Sequence, residues 1–135
     1  MERRKFLDVL AWICLADRRV LCARTQGNEV FYLPGGKREK GESDWEGLSR
    51  EVKEEISVDL IEATFVEALI VEEAAHGFVV PTWVKMKCFW AAYEGAIAPS
   101  AEIEEIAWLS MAGTEKCAPA NQRVLEHLFQ RGLID

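Results

Sequence analysis

Gly36-Lys37-Arg38-Glu39-Lys40-Gly41-Glu42-Ser43-Asp44-Trp45-Glu46-Gly47-Leu48-Ser49-Arg50-Glu51-Val52-Lys53-Glu54-Glu55-Ile56-Ser57-Val58 is the stretch on which the reading of this chain turns. It leaves a Pro34-Gly35-Gly36 stop signal and opens with a charged loop, Lys37 to Glu42. Ser43 with Glu46 three residues later predicts a capping box, and so a helix start. Trp45, Leu48, Val52 and Ile56 recur at helical spacing and define one buried stripe. Glu51, Glu54 and Glu55 stand at i, i+3 and i+4, within a sector of roughly 100°. Three carboxylates crowded there repel one another. They also lie beside the apolar stripe, whereas a solvated charge face would lie opposite it. A cation offsets the repulsion, and oxygen-only ligands favour hard ions such as Mg2+ or Mn2+. Taken alone, the same glutamates also read as good helix formers on a wet surface. The preceding Gly-Gly turn and charged loop argue for the site.

On the N-terminal side, Phe6 to Leu15 reads as a strand, Asp17-Arg18-Arg19 as a turn and Val20 to Ala23 as a second strand. Gln26-Gly27-Asn28 is a loop signal, and Val30 to Leu33 reads as a short strand stopped by Pro34. Beyond the helix, Ile61 to Val71 and Val79 to Tyr93 read as longer strands, with Ala74 to Gly77 a loop between them. Ile103 to Leu109 is another strand. Pro119 to Gln130 closes the chain as a helix with Val124, Leu125, Leu128 and Phe129 inward. Strands, helix, strands, helix is the order of a mixed α/β (α+β) layered fold with helices packed on a sheet. Residues 1–135 read as one domain.

The 135 residues are half hydrophobic and 29% charged, a globular composition. A net charge of −7 argues against a duplex nucleic-acid binder, which needs a basic face. No apolar run approaches the ~20 residues of a membrane span. Met1-Glu2-Arg3-Arg4-Lys5 is similar to the start of a signal peptide, but Asp8 and Asp17-Arg18-Arg19 interrupt the apolar residues after it, so the expected location is cytoplasmic. Cys14, Cys22, Cys88 and Cys117 are scattered with no CxxC pair, which predicts buried, reduced thiols and no zinc site.

The string from Gly36 to Val58 resembles the Nudix box, G-x5-E-x7-R-E-U-x-E-E-x-G-U with U aliphatic. Gly36, Glu42, Arg50, Glu51, Val52, Glu54, Glu55 and Val58 match, and Ser57 stands where the family has glycine. The resemblance implies a mixed sheet sandwiched between helices. It implies metal ligation by Glu51, Glu54 and Glu55 with the Gly35 carbonyl, and Mg2+ (or Mn2+) as cofactor. Arg50 and Glu42 match residues that orient the cluster, the alternative for Arg50 being a plain helix salt bridge. The missing glycine is a helix C-cap, a position that favours left-handed backbone. Its loss puts the loop shape in question and leaves the ligands in place.

The MutT branch of the family is the nearest likeness, through Phe31-Tyr32-Leu33-Pro34-Gly35-Gly36-Lys37 and Pro119-Ala120-Asn121. That likeness implies that Asn121 contacts the base of a nucleotide, oxidised guanine in MutT; the alternative is a residue of the helix start. Glu102, before Trp108, matches a further metal ligand, or belongs with Glu104 and Glu105 to an acidic solvent loop. Arg24 matches a basic residue near the phosphates, or is a surface arginine. The implied reaction is hydrolysis of a nucleoside triphosphate to monophosphate and pyrophosphate, with Glu54, Glu55 or Glu102 taking the proton from water. Alternatives are a nucleotide sugar or dinucleoside polyphosphate as substrate, or a nucleotide-binding Nudix domain without catalysis. The expected partner is a small nucleotide, with no duplex nucleic acid and no membrane; monomer and homodimer both remain open.

Overall fold

In a computed structural model, which describes residues 5–75 and 79–135, the strand β1 (Lys5–Ile13) organises the chain. Its second half is apolar at every position, as expected of a strand covered on both faces. Leu10 and Trp12 face one side, Ala11 and Ile13 the other, and all four are buried. β1 pairs in parallel with β7 (Thr82–Trp90), from Lys5↔Thr82 to Ile13↔Trp90. Its other edge pairs antiparallel with β4 (Gly35–Lys37), and β7 pairs antiparallel with β6 (Val66–Ala75). The resulting order is β4-β1-β7-β6. A second sheet joins β2 (Leu15–Ala16), β3 (Arg19–Thr25) and β9 (Ile103–Leu109), and β5 (Asp59–Leu60) pairs with β8 (Tyr93–Glu94).

Two helices complete the layers. α1 (Asp44–Ile56) sets Leu48, Val52 and Ile56 against Leu10, Trp12, Leu21 and Phe89. α2 (Pro119–Gln130) sets Val124, Leu125 and Leu128 against Ala11, Ile13, Val20, Val71 and Met86 on the opposite side of β1. The architecture is the expected mixed sheet between helices. No helix among the described residues is long and apolar enough to cross a membrane. All four cysteines are free and buried.

Several elements differ from the sequence expectation. Val30 to Leu33 is not a strand: Phe31 and Tyr32 make only isolated bridges, to Cys117 and Ala23. The pairing passes to Gly35–Lys37, because Pro34 offers no N–H and its carbonyl accepts from Trp12 N at 2.8 Å. Phe6 to Leu15 divides at Cys14, with β1 in one sheet and β2 in the other. Residues Glu62–Thr64 form a 3-10 turn, which delays β6 to Val66 and carries it through Ala74 and Ala75, which had read as loop. His76 and Gly77, the rest of that loop, lie outside the described residues. β7 starts only after Pro81, and Tyr93 belongs to β8. Phe129 is half exposed, not inward. It lies roughly 100° around α2 from the centre of the stripe Ala120, Asn121, Val124, Leu125 and Leu128.

Candidate active site

The site is built around α1. Ser43 is its N-cap, and both arms of the capping box form: Glu46 N donates to Ser43 Oγ at 3.1 Å and Ser43 N to Glu46 Oε1 at 3.0 Å. With the helix phase fixed by Leu48, Val52 and Ile56, the three glutamates fall at increasing angles from the buried stripe. At ~100° per residue Glu55 is nearest to it, Glu51 next and Glu54 farthest. Their surroundings follow that order. Burial, with added repulsion from Glu51 and Glu54, pushes the Glu55 carboxyl up to about 7 although Gly35 N donates to its Oε1 at 2.9 Å. Burial also raises Glu51, against the attraction of Arg50. The Glu54 side chain is 54% exposed, against 19% for Glu51.

The Gly35-Gly36 pair that opens β4 lets the backbone reach these carboxylates. Gly35 has φ +150°, and a Cβ there would run into the Leu10 carbonyl. A Cβ on Gly36 would lie 2.7–2.9 Å from the Glu51 carboxyl atoms, so only glycine lets that carboxylate rest on the chain. Arg50 braces the cluster from the loop side. It donates to both Glu42 oxygens at 2.8 and 2.9 Å, to Glu51 Oε1 at 3.1 Å and to the Lys37 carbonyl at 3.3 Å. Arg50 holds Glu42 down to about 2, helped by the Glu39 N–H. Arg50 is therefore bonded to the loop and to the cluster together, and also pairs with Glu54 one turn along the helix.

The donor set is chemically that of a hard-cation site: carboxylate oxygens, partly desolvated and under mutual repulsion, beside the Gly35-Gly36 backbone. These residues fit a divalent ion. Among the described residues no three acidic, histidine or cysteine side chains already converge at coordination distance. Glu51 Oε1 accepts from Arg50 and Glu55 Oε1 from the Gly35 N–H, so a protein donor engages one oxygen of each.

A cavity of about 480 Å3 opens beside Glu55 between the two sheets. Gly35, Gly36, Lys37 and Glu55 line it, as do Ala118, Pro119, Ala120 and Asn121. Asn121 is buried, and its Oδ1 accepts from Leu33 N at 2.8 Å. The amide NH2 of Asn121, itself a cavity-lining residue, has no hydrogen-bond partner among the described residues. Sequence reasoning missed the walls, which include Leu7, Val9, Thr25, Tyr32, Val84 and Met86. Alternation along β1 marks Leu7 and Val9 as one face, but only the pairing with β7 tells which face borders a cavity.

Arg24 is not among the cavity-lining residues. It forms ion pairs with Glu104 at 3.2 Å and Glu105 at 3.0 Å and donates to the Asn28 carbonyl at 3.0 Å. Glu102 is exposed, in the turn before β9, where its carbonyl accepts from Gln26 N. That turn abuts the end of α1: Ser100 N donates to the Glu55 carbonyl at 3.0 Å. Ser57 adopts the left-handed backbone expected of the missing glycine, φ 72° and ψ 16°.

A model of the NUDIX domain matches residues 4–128. No functionally curated protein matches the sequence. The fold is similar to that of the E. coli ORF135 protein, with TM-score 0.69 and 22% identity over 94% of this chain and 91% of that one. It is similar to the MutT protein from Methanosarcina mazei Go1, with TM-score 0.71 and 21% identity over 98% and 99%. E. coli dihydroneopterin triphosphate pyrophosphohydrolase aligns with TM-score 0.67 and 19% identity over 96% and 98%.

Proposed function

The chain belongs to the Nudix family of pyrophosphohydrolases, and on that premise we propose that its substrate is a nucleoside triphosphate, cut to the monophosphate and pyrophosphate. A purine triphosphate, including an oxidised one such as 8-oxo-dGTP, is the form we favour. The observation that carries this reading is the continuity of the cavity. The Gly35-Gly36 pair and Glu55 line it, and so does Asn121. A phosphate chain at the first and a base at the second are the two ends of one nucleotide. The nearly apolar walls suit the faces of a base, and a single amide supplies orientation.

Glu51, Glu54 and Glu55, with the Gly35 carbonyl and Glu102, are the residues we assign to a divalent cation, Mg2+ or Mn2+. When bound, that ion supplies charge neutralisation on the phosphate oxygens. Arg50 and Glu42 hold the carboxylates in place. Of the three carboxylates able to take a proton from the attacking water, Glu55 is the one that lines the cavity. Water adds to phosphorus, the bridging P–O bond breaks and the proton passes to the carboxylate. The cytoplasm is the compartment we assign, in keeping with four free, buried thiols.

The test is a panel of nucleoside triphosphates, nucleotide sugars and dinucleoside polyphosphates with Mg2+, scored by product identity. The expected result is pyrophosphate and monophosphate from triphosphates, abolished by EDTA. Full turnover in EDTA would overturn the metal assignment. Faster cleavage of a sugar or dinucleotide substrate would overturn the substrate assignment, and no turnover on any member would favour a binding domain.

A further inference from the structure

We propose that Ser57 is a positioning residue: its hydroxyl fixes the Glu102 turn against the carboxylates of α1. The inference rests on the metal assignment above. Ser57 occupies a left-handed conformation that glycine adopts without penalty and serine does not. What serine adds there is a hydroxyl. Ser57 Oγ lies 3.1 Å from the Ala98 carbonyl and 3.2 Å from Ser100 Oγ, within donating range of both. Ser100 Oγ donates in turn to the Glu54 carbonyl, and Ser100 N to the Glu55 carbonyl at 3.0 Å. Ala98 N donates to the Ile56 carbonyl at 3.0 Å. Three successive carbonyls at the end of α1, those of Glu54, Glu55 and Ile56, are thus met by one short segment of chain.

Glu102 follows Ser100 by two residues, so its Cα lies within about 7 Å of that of Ser100. The turn is closed by Ile103 N donating to the Ser100 carbonyl at 3.0 Å. On its far side it is tied to β3, through Gln26 N to the Glu102 carbonyl at 2.9 Å and the pairing Thr25↔Ile103. The Glu102 backbone is held between β3 and the end of the helix that carries Glu54 and Glu55. Replacing Ser57 by glycine leaves the backbone bonds possible and removes the hydroxyl link alone.

The experiment measures binding of Mn2+ alone to the metal-free full chain, by the loss of the free-ion spin-resonance signal, alongside the melting temperature. Ser57→Gly is expected to weaken Mn2+ binding about tenfold, the low end of the range for losing a group that orients metal ligands. The apo melting temperature should not fall, because glycine relieves the left-handed strain. Ser57→Asn, which tolerates that backbone and restores a donor, should recover most of the affinity. Ser100→Ala, which leaves the backbone of residue 57 untouched, should weaken binding in the same direction. In a Glu102→Gln background Ser57→Gly should have no further effect. Unchanged affinity in Ser57→Gly and Ser100→Ala, or an equal loss with and without Glu102, would overturn the proposal. Absence of Mn2+ binding by the wild-type chain would instead remove the metal assignment on which it rests.

Discussion

Glu55→Gln separates the stability of the fold from the chemistry of the site. In the metal-free protein the Glu55 carboxyl is raised from 4.5 to about 7, first by burial and then by Glu51 and Glu54. An acid raised in the folded state destabilises that state once it ionises. Glu55 therefore costs the fold nothing below 4.5, takes away stability as the pH climbs from there through about 7, and exacts its whole penalty above it. The displacement corresponds to about 3 kcal/mol, and relaxation around a partly exposed group brings the expected effect to about 2 kcal/mol. Glutamine has the same shape, its Oε1 keeps accepting from Gly35 N, and it never ionises. Urea unfolding in EDTA should give equal stabilities for variant and wild type near pH 4, with the variant ahead by about 2 kcal/mol at pH 8.5. Excess Mn2+ should reverse the order at pH 8.5, because the wild type gains a ligand and the variant has lost one. Turnover should vanish. Parallel stability curves for the two proteins in EDTA between pH 4 and 8.5 would refute the placement of Glu55 as a desolvated carboxylate.

Two further tests use other parts of the site. Glu42, held down to about 2 by Arg50 and the Glu39 N–H, contributes stability that is present above 4.5 and is lost as pH falls through about 2. Glu42→Gln should flatten that acid limb in circular-dichroism unfolding and weaken turnover; an unchanged acid limb would count against the Arg50 brace. Asn121→Ala leaves the buried Leu33 N–H without its acceptor and should cost about 1–3 kcal/mol of stability. Asn121→Asp keeps that acceptor and removes the amide donor. It should change selectivity among bases by roughly 5- to 150-fold in kcat/KM, with a stability cost of its own from burying a carboxyl group. Wild-type selectivity in the Asp variant would remove Asn121 from base recognition.

What could be read ahead of the structure was local. The capping box of Ser43 and Glu46 is complete within three residues, and the phase of Leu48, Val52 and Ile56 already orders Glu55, Glu51 and Glu54 by burial. What escaped depends on partners far along the chain. Leu33 N and Asn121 Oδ1 are 88 positions apart, and Arg24 meets Glu104 and Glu105 about 80 positions away. Val30 to Leu33 has the residues of a strand, but the edge of β1 is taken by the glycines after Pro34. Phe129 reads as inward from its hydrophobicity, which alone does not fix where a stripe ends. The Ser57 hydroxyl had no visible function until Ala98 and Ser100 appeared beside it.

The bond from Leu33 N to Asn121 also bears on how such a chain can diverge. Position 121 must keep a hydrogen-bond acceptor merely to satisfy the backbone before Pro34, so an apolar intermediate there would be removed by selection for folding before any new ligand could be favoured. Thr25, Val84 and Met86, on the strands across the cavity, have no such tie to the Leu33 N–H. Lineages that exchange one nucleotide for another should therefore record the change in the strands, while the first turn of the last helix stays nearly as it was.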